Sequence, residues 1–200
     1  MRQKREQDLI AILQLAHAGE LAAAYAYRGH WHSAKSAPEK TRIQQIENEE
    51  WHHRLLLAEM LATLDARHST ARAIRAAIIG RLLGLLCHLS GWLAPMYGAG
   101  SLESRNIREY ENAARCARDC GRGEFVDCLL TMAEVEWEHE FYFRSRVEQH
   151  RWGRRLRLWP KPPRKETIRE SFAKELLTAG ISAGATEGCE PAAPLLYAKS

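Results

Sequence analysis

The sequence predicts an all-α protein, and three observations carry that prediction. Glutamate outnumbers aspartate by 21 to four, a bias that suits helices, where Glu keeps most of its rotamer freedom while Asp competes for backbone hydrogen bonds. Apolar residues return every three or four positions through several long stretches. Nowhere do apolar and polar residues alternate as they would in a half-buried strand. The 200-residue length suits one principal domain with an appendage. Hydrophobic residues at 46% and charged residues at 27% exclude a wholly disordered, collagen-like or mucin-like chain. A formal charge of +4 is too small to argue for nucleic acid, and none is expected as a partner.

Residues 7–31 read as the first helix, ending before the polar stretch SAKSAPEK. The second covers 40–65, with Ser36 or Pro38 near its start. From Arg72 to about Gly91 runs a more apolar stretch, broken by Gly80, Gly84 and Gly91 and stopped by Pro95. Ser101 reads as the N-cap of a helix that reaches Cys120, where Gly121 and Gly123 end it. A further long helix spans Glu124 to about His150, and RWGRRLRLWPKPPRK then breaks the pattern at its prolines. A short amphipathic helix is expected around 167–177, followed by a disordered Gly/Ala/Pro-rich tail.

The N-terminal apolar stretch is interrupted at helical spacing by Gln14, His17 and Glu20, so it does not read as a signal peptide. Five cysteines, an odd number without a secreted spacing pattern, read as reduced thiols, Cys116 and Cys120 being neighbours one helical turn apart. A cytoplasmic location is expected.

Stripes of every third and fourth residue pick out the buried faces. They run through Leu13, His17, Glu20, Ala24 and Tyr27 in the first helix, and Ile46, Glu50, His53, Leu57 and Met60 in the second. The third ligand-bearing helix offers Glu103, Ile107, Tyr110 and Ala114, and the last long helix offers Leu129, Met132, Glu136, His139 and Phe143. Each stripe is apolar except for one carboxylate, and two carry a histidine three residues later. A buried carboxylate is costly unless paired or bound to metal, and four together would repel one another without cations between them.

Glu50/His53 and Glu136/His139 are both E-x-x-H, which places a carboxylate and an imidazole on one face of a helix. The chain contains three such matches where composition gives about one by chance. The third, Glu49/His52, belongs to a solvated stripe and is set aside. Glu109 and Glu111 likewise group with Asn106, Asn112, Arg108 and Arg115 on solvated faces, leaving Glu103 as the buried carboxylate of its helix. One Glu from each of two helices, with one E-x-x-H from each of two others, is the ligand set of the ferritin-like di-iron and di-manganese carboxylate proteins. Mixed oxygen and nitrogen ligation suits iron, with manganese the alternative. The fold expected is therefore a ferritin-like four-helix bundle, with an apolar helical crossover between the second and third ligand-bearing helices.

The string His17-Ala18-Gly19-Glu20 resembles the HAGE motif of the demethoxyubiquinone hydroxylases, the di-iron monooxygenases of ubiquinone biosynthesis. The resemblance continues in order through Glu50/His53, the apolar segment, Glu103 and Glu136/His139, over roughly residues 8–147. It implies terminal ligands Glu20 and Glu103, bridging ligands Glu50 and Glu136, and histidine ligands His53 and His139, holding two Fe ions. Tyr110 matches the family's catalytic-site tyrosine, although Glu109 stands where the family usually has histidine. The family's apolar C-terminal segment is replaced by the basic, Pro-rich run. Implied with the resemblance are a lipophilic quinone-like or aromatic substrate, dioxygen, and an external reductant, since no G-x-G-x-x-G follows a strand. Residues 1–150 would form the di-iron domain and 151–200 a basic, Pro-rich segment with its short helix and tail. A rubrerythrin-like oxidase or peroxidase, or a metal-binding protein without hydroxylase activity, is the alternative.

Two segments bear on membranes. From Leu82 to Leu102 no residue is formally charged, which fits either a buried crossover or an interfacial helix dipping into one leaflet. The run from Arg151 to Lys165 interleaves cations with Trp152, Leu156 and Trp159, consistent with peripheral contact at the inner face of a membrane or with a solvated basic helix end.

Overall fold

The computed structural model describes residues 2–178. It is all-α: α1 (Arg2–Ser33), α2 (Ala37–Thr63), α3 (Thr70–Leu89), α4 (Leu93–Cys120), α5 (Val126–Gln149) and α6 (Glu166–Thr178), with single 3-10 turns before α5 and at Gly153–Arg155. No strand occurs among the described residues. The expected disordered tail and Cys189 lie outside them. The described residues divide into two compact units: Ile10–Pro95 is one, and those up to Leu9 with the described residues after Pro95 form the other.

In the Ile10–Pro95 unit, Ser36 stands at the N-cap position of α2 without a side-chain cap bond, and Pro38 lies in the first turn, where a missing N–H costs nothing. α2 ends on a Schellman turn: the Ala66 amide donates to Leu61 O and Asp65 to Ala62 O, with Asp65 itself left-handed at φ 50°. Ser69 caps α3 by accepting from the Arg72 amide.

α3 runs unbroken through Gly80 and Gly84, which the sequence reading took as breaks. The reason is packing against α1. A Cβ on Gly29 would stand 2.3 Å from Gly84 Cα, and one on Gly80 would stand 2.4 Å from Ala22 O. The glycines are where two backbones touch, and that contact repays their poor helix propensity. Beside it Ala18, Leu21 and Ala76 form a small core flanked by Tyr25 and Trp51.

The other face of α3 is not covered. Ile74, Ile78, Ile79, Leu82, Leu83, Leu85, Leu86 and Leu89 are all exposed, so a buried crossover does not describe this helix. The helix long and apolar enough by composition to cross a membrane is instead α1, over Lys4–Ser33. Its stripe of Leu9, Leu13, Ala24 and Tyr27 is buried inside the protein.

α4 begins at Leu93, eight residues ahead of the Ser101 start that the sequence suggested, and from Met96 on it belongs to the other unit. Pro95 falls in its first turn, where the backbone N–H groups have no intrahelical acceptor, so it starts the helix rather than stopping the chain. Gly100 then lies inside α4 because Trp159 fills its side: a Cβ there would meet the indole at 2.3 Å. α4 closes on a second Schellman turn, Arg122 N to Ala117 O and Gly121 N to Arg118 O, with Gly121 at φ 82°.

Beyond α5 the Pro-rich segment lies along this unit. Tyr97 Oη donates to Arg157 O, Trp137 Nε1 to Pro163 O, and Arg144 to the carbonyls of Trp159 and Pro160. α6 docks through Arg169, which reaches Asp127, Thr131 and Glu134 of α5, and through Glu175, which accepts from Arg115 of α4.

Candidate metal centre

Each unit contains one cluster of three buried ligand-type side chains. In Ile10–Pro95, Glu20 of α1 and Glu50 and His53 of α2 offer ligand atoms that all lie within 4.8 Å of one another. In the other unit Glu103 of α4 and Glu136 and His139 of α5 do the same, again within 4.8 Å. None of the six is more than 4% exposed. The helical i, i+3 spacing explains the His–Glu pairs, and His139 Nδ1 lies 3.7 Å from Glu136 Oε2. The remaining glutamate of each cluster comes from the adjoining helix.

Two carboxylates and an imidazole this close and this dry are expensive as apoprotein. Like charges in a desolvated site oppose one another's ionisation, and a cation removes the cost. Carboxylate oxygen with imidazole nitrogen is a donor set for a divalent transition metal. The residues present therefore fit a metal ion in chemistry and spacing.

Asn106 is a participant that the sequence reading left on a solvated face. Its Nδ2 donates to Glu103 Oε2 at 3.0 Å and to Glu136 Oε2 at 3.3 Å, holding the two carboxylates of one cluster in register. The available signal was its i+3 spacing from Glu103. Periodicity alone grouped it with Glu109 instead.

Tyr110 is 2% exposed on α4, on the same stripe as Glu103. His17 of the HAGE string is buried and stacks on His68 with ring centroids 5.0 Å apart. Burial lowers its pKa to about 4, and Arg54 and His68 push the same way, so the imidazole is neutral at ordinary pH. Glu49 of the discarded E-x-x-H accepts from Arg42 at 3.2 Å and Gln45 at 2.9 Å.

Three further glutamates are buried that the stripes did not select: Glu39, Glu47 and Glu140. Here indole and guanidinium groups answer the charge. Glu47 accepts from Trp31 at 2.6 Å, Arg28 at 2.8 Å and Trp51 at 3.2 Å. Glu140 accepts from Trp159 at 2.6 Å and Arg144 at 2.7 Å, and Glu39 from Trp92 at 3.1 Å. These carboxylates are held by indole and guanidinium donors, and none of the three belongs to a buried ligand-type cluster among the described residues.

An all-α chain with buried clusters of glutamate and histidine able to hold metal falls in the ferritin-like class. More narrowly, the family model described as ubiquinone biosynthesis protein COQ7 matches residues 7–119, more than half of the chain, and the chain belongs to that family. Its role accordingly lies in ubiquinone biosynthesis. No curated protein and no solved structure matches the chain. The family match takes in Glu20, Glu50, His53, Glu103 and Tyr110 but ends before α5, so Glu136 and His139 rest on their own geometry.

Proposed function

We propose that the clustered glutamates and histidines hold two iron ions and that the protein is a di-iron monooxygenase hydroxylating a lipophilic, quinone-like intermediate of ubiquinone biosynthesis. The observation that carries this reading is the repeated cluster: each unit contributes one lone glutamate and one E-x-x-H, all buried and all within ligand distance of their cluster mates. Glu20, Glu50 and His53 would hold metal from one side of the sequence, and Glu103, Glu136 and His139 from the other. Two iron ions held there would supply redox and Lewis-acid chemistry toward dioxygen, with electrons from an external reductant.

The chain's own residues supply charge and exclusion of water. Four carboxylates would offset two divalent cations and leave the site close to neutral in an apolar interior. Leu57, Met60, Ile107, Met132 and Phe143, each at most 5% exposed, keep the surrounding helix faces dry, which protects reactive species from bulk water. Asn106 holds the Glu103 and Glu136 carboxylates with one amide. Tyr110 brings a phenol to the buried face of α4, in the place of the family's tyrosine, and Glu109 stands in for the family's histidine beside it.

Peripheral attachment to the inner face of a membrane completes the reading. The uncovered α3 face and the exposed Trp152 and Leu156 among the cations of the Pro-rich run support it, with Arg151 and Arg155 stacked on Trp152 at 5.3 and 5.0 Å.

The test is turnover of a demethoxyquinone under labelled dioxygen with reductant, beside metal analysis of purified protein. Label in the hydroxylated product, with about two irons per chain as the ligand set requires, supports the proposal. Consumption of hydrogen peroxide without label in product means a rubrerythrin-like oxidase or peroxidase instead.

A further inference from the structure

We infer that the groove between α1 and α3 is a seat for the phosphate headgroup of an anionic phospholipid. The inference rests on the proposed peripheral membrane attachment and gives it a defined ligand site. The groove is an open cavity of about 430 Å³ lined by Tyr25, Arg28 and Gly29 of α1 and by Arg81, Gly84, Leu85 and His88 of α3. Both sets follow helical spacing, i, i+3, i+4 on α1 and i, i+3, i+4, i+7 on α3, so each is one face of its helix. The Gly29–Gly84 approach brings those faces together.

Two guanidinium groups converge on one ring: Arg81 lies 3.9 Å from the Tyr25 centroid and Arg28 lies 5.8 Å from it. Stacking on tyrosine orients a guanidinium while leaving its fork of donors available to an anion. Arg28 is answered by Glu47 at 2.8 Å. Arg81 makes one hydrogen bond, to Ala77 O at 3.3 Å, and among the described residues no carboxylate pairs with it. No acidic residue occurs between Asp65 and Glu103, so nothing on α3 offsets its arginines. The groove is positive and built for an oxyanion.

The rest of α3 says which oxyanion. Leu85 is both a wall of the groove and an exposed side chain. It continues into Leu82, Leu86 and Leu89, which are 56%, 52% and 76% exposed. A free phosphate gains nothing from a leucine ridge beside its site. An amphiphile places its phosphate between the arginines and its acyl chains along the ridge.

The experiment is co-sedimentation of the full chain with phosphatidylcholine vesicles, with and without phosphatidylglycerol. Wild type is compared with Arg81→Gln, Arg81→Lys and Arg75→Gln, all on exposed positions whose folding circular dichroism checks. Removing the Arg75 charge, on the same helix but outside the groove, is expected to weaken partitioning into anionic vesicles about fivefold, as for any cation near such a surface. Arg81→Gln is expected to weaken it about fiftyfold and Arg81→Lys about tenfold, because lysine restores the charge, worth about fivefold, but not the two-pronged contact. Arg81→Lys binding like wild type, or Arg81→Gln losing no more than Arg75→Gln, overturns the headgroup seat while leaving membrane attachment standing. Failure to bind either vesicle overturns both. Inorganic phosphate that raises the melting temperature of wild type but not of Arg81→Gln, beyond chloride at equal ionic strength, assigns the groove to free phosphate and also overturns the lipid reading.

Discussion

At the scale of single residues, this chain separates two kinds of buried glutamate. Glu47 and Glu140 sit among tryptophan and arginine donors. Glu20, Glu50, Glu103 and Glu136 sit among other metal-ligating side chains. The distinction makes opposite predictions for conservative changes. Glu50→Gln removes one charge from a crowded buried cluster, so the metal-free protein is expected to melt a few degrees higher while iron no longer raises its melting temperature. Glu47→Gln leaves three donors facing a weaker acceptor and is expected to lower stability by about 1–3 kcal/mol without changing iron content. Differential scanning calorimetry with and without ferrous iron reads both. Asn106→Ala is predicted to weaken iron binding roughly 10- to 100-fold while the fold is kept, since its amide orients two ligand-type carboxylates rather than filling the core. Competition against a chelator measures that loss.

The sequence exposed the stripe positions of Glu20, Glu50, Glu103 and Glu136 because each stands alone in an apolar row of its own helix. It did not expose Glu39, Glu47 or Glu140, each of which takes an indole donor from outside its own helix. Trp92 lies 53 residues from Glu39, and Trp159 lies 19 from Glu140. A periodicity reading compares a helix only with itself, so partners arriving from elsewhere leave no trace in it.

At the scale of elements, glycine and proline were the least legible signals. Local rules read Gly80, Gly84 and Pro95 as interruptions, whereas the first two let α3 approach α1 and the third starts α4. Gly100 marks the same effect within the second unit, where the Trp159 indole takes the space of its missing side chain. Gly100→Ala is therefore expected to cost about 1–3 kcal/mol through overpacking, and less in a Trp159→Leu background, where the indole is gone. Urea denaturation of the single and double variants measures the coupling. Gly29→Ala is predicted to cost at least as much, because its Cβ would meet the Gly84 backbone, which has no rotamer by which to move aside. The basic, Pro-rich run reads in sequence as a solvated helix end or a membrane motif. In the structure Trp159 is buried, Lys165 pairs with Glu138, and the segment is strapped to α4 and α5, while Trp152 and its flanking arginines remain outside.

For the molecule as a whole, pH is the variable to which the fold should respond. Burial lowers His30 to a pKa of about 4, only partly opposed by Glu39, and His17 reaches about 4 as well. Both values lie below that of an unfolded histidine, near 6.5. Between about pH 6.5 and 4 the unfolded chain binds protons that the native chain refuses, so stability is full above that window and falls as pH drops through it. Melting temperatures of the metal-free protein across that range are expected to decline on acidification, and His30→Leu to flatten the decline. An unchanged slope in that variant would exclude His30 as a contributor.

By itself the sequence determined that the chain is helical, where most of its helices lie, and which carboxylates occupy the buried stripe of each, because those properties repeat at the helical period and are local. Only the tertiary structure decided that α3 leaves its apolar face uncovered, that α4 starts at Leu93, that Asn106 joins two ligand-type carboxylates, and that tryptophan and arginine donors hold the other buried glutamates. Each of these depends on what packs against a residue from a distant part of the chain. Burial and desolvation are set by those neighbours, and they have no period for a sequence to display.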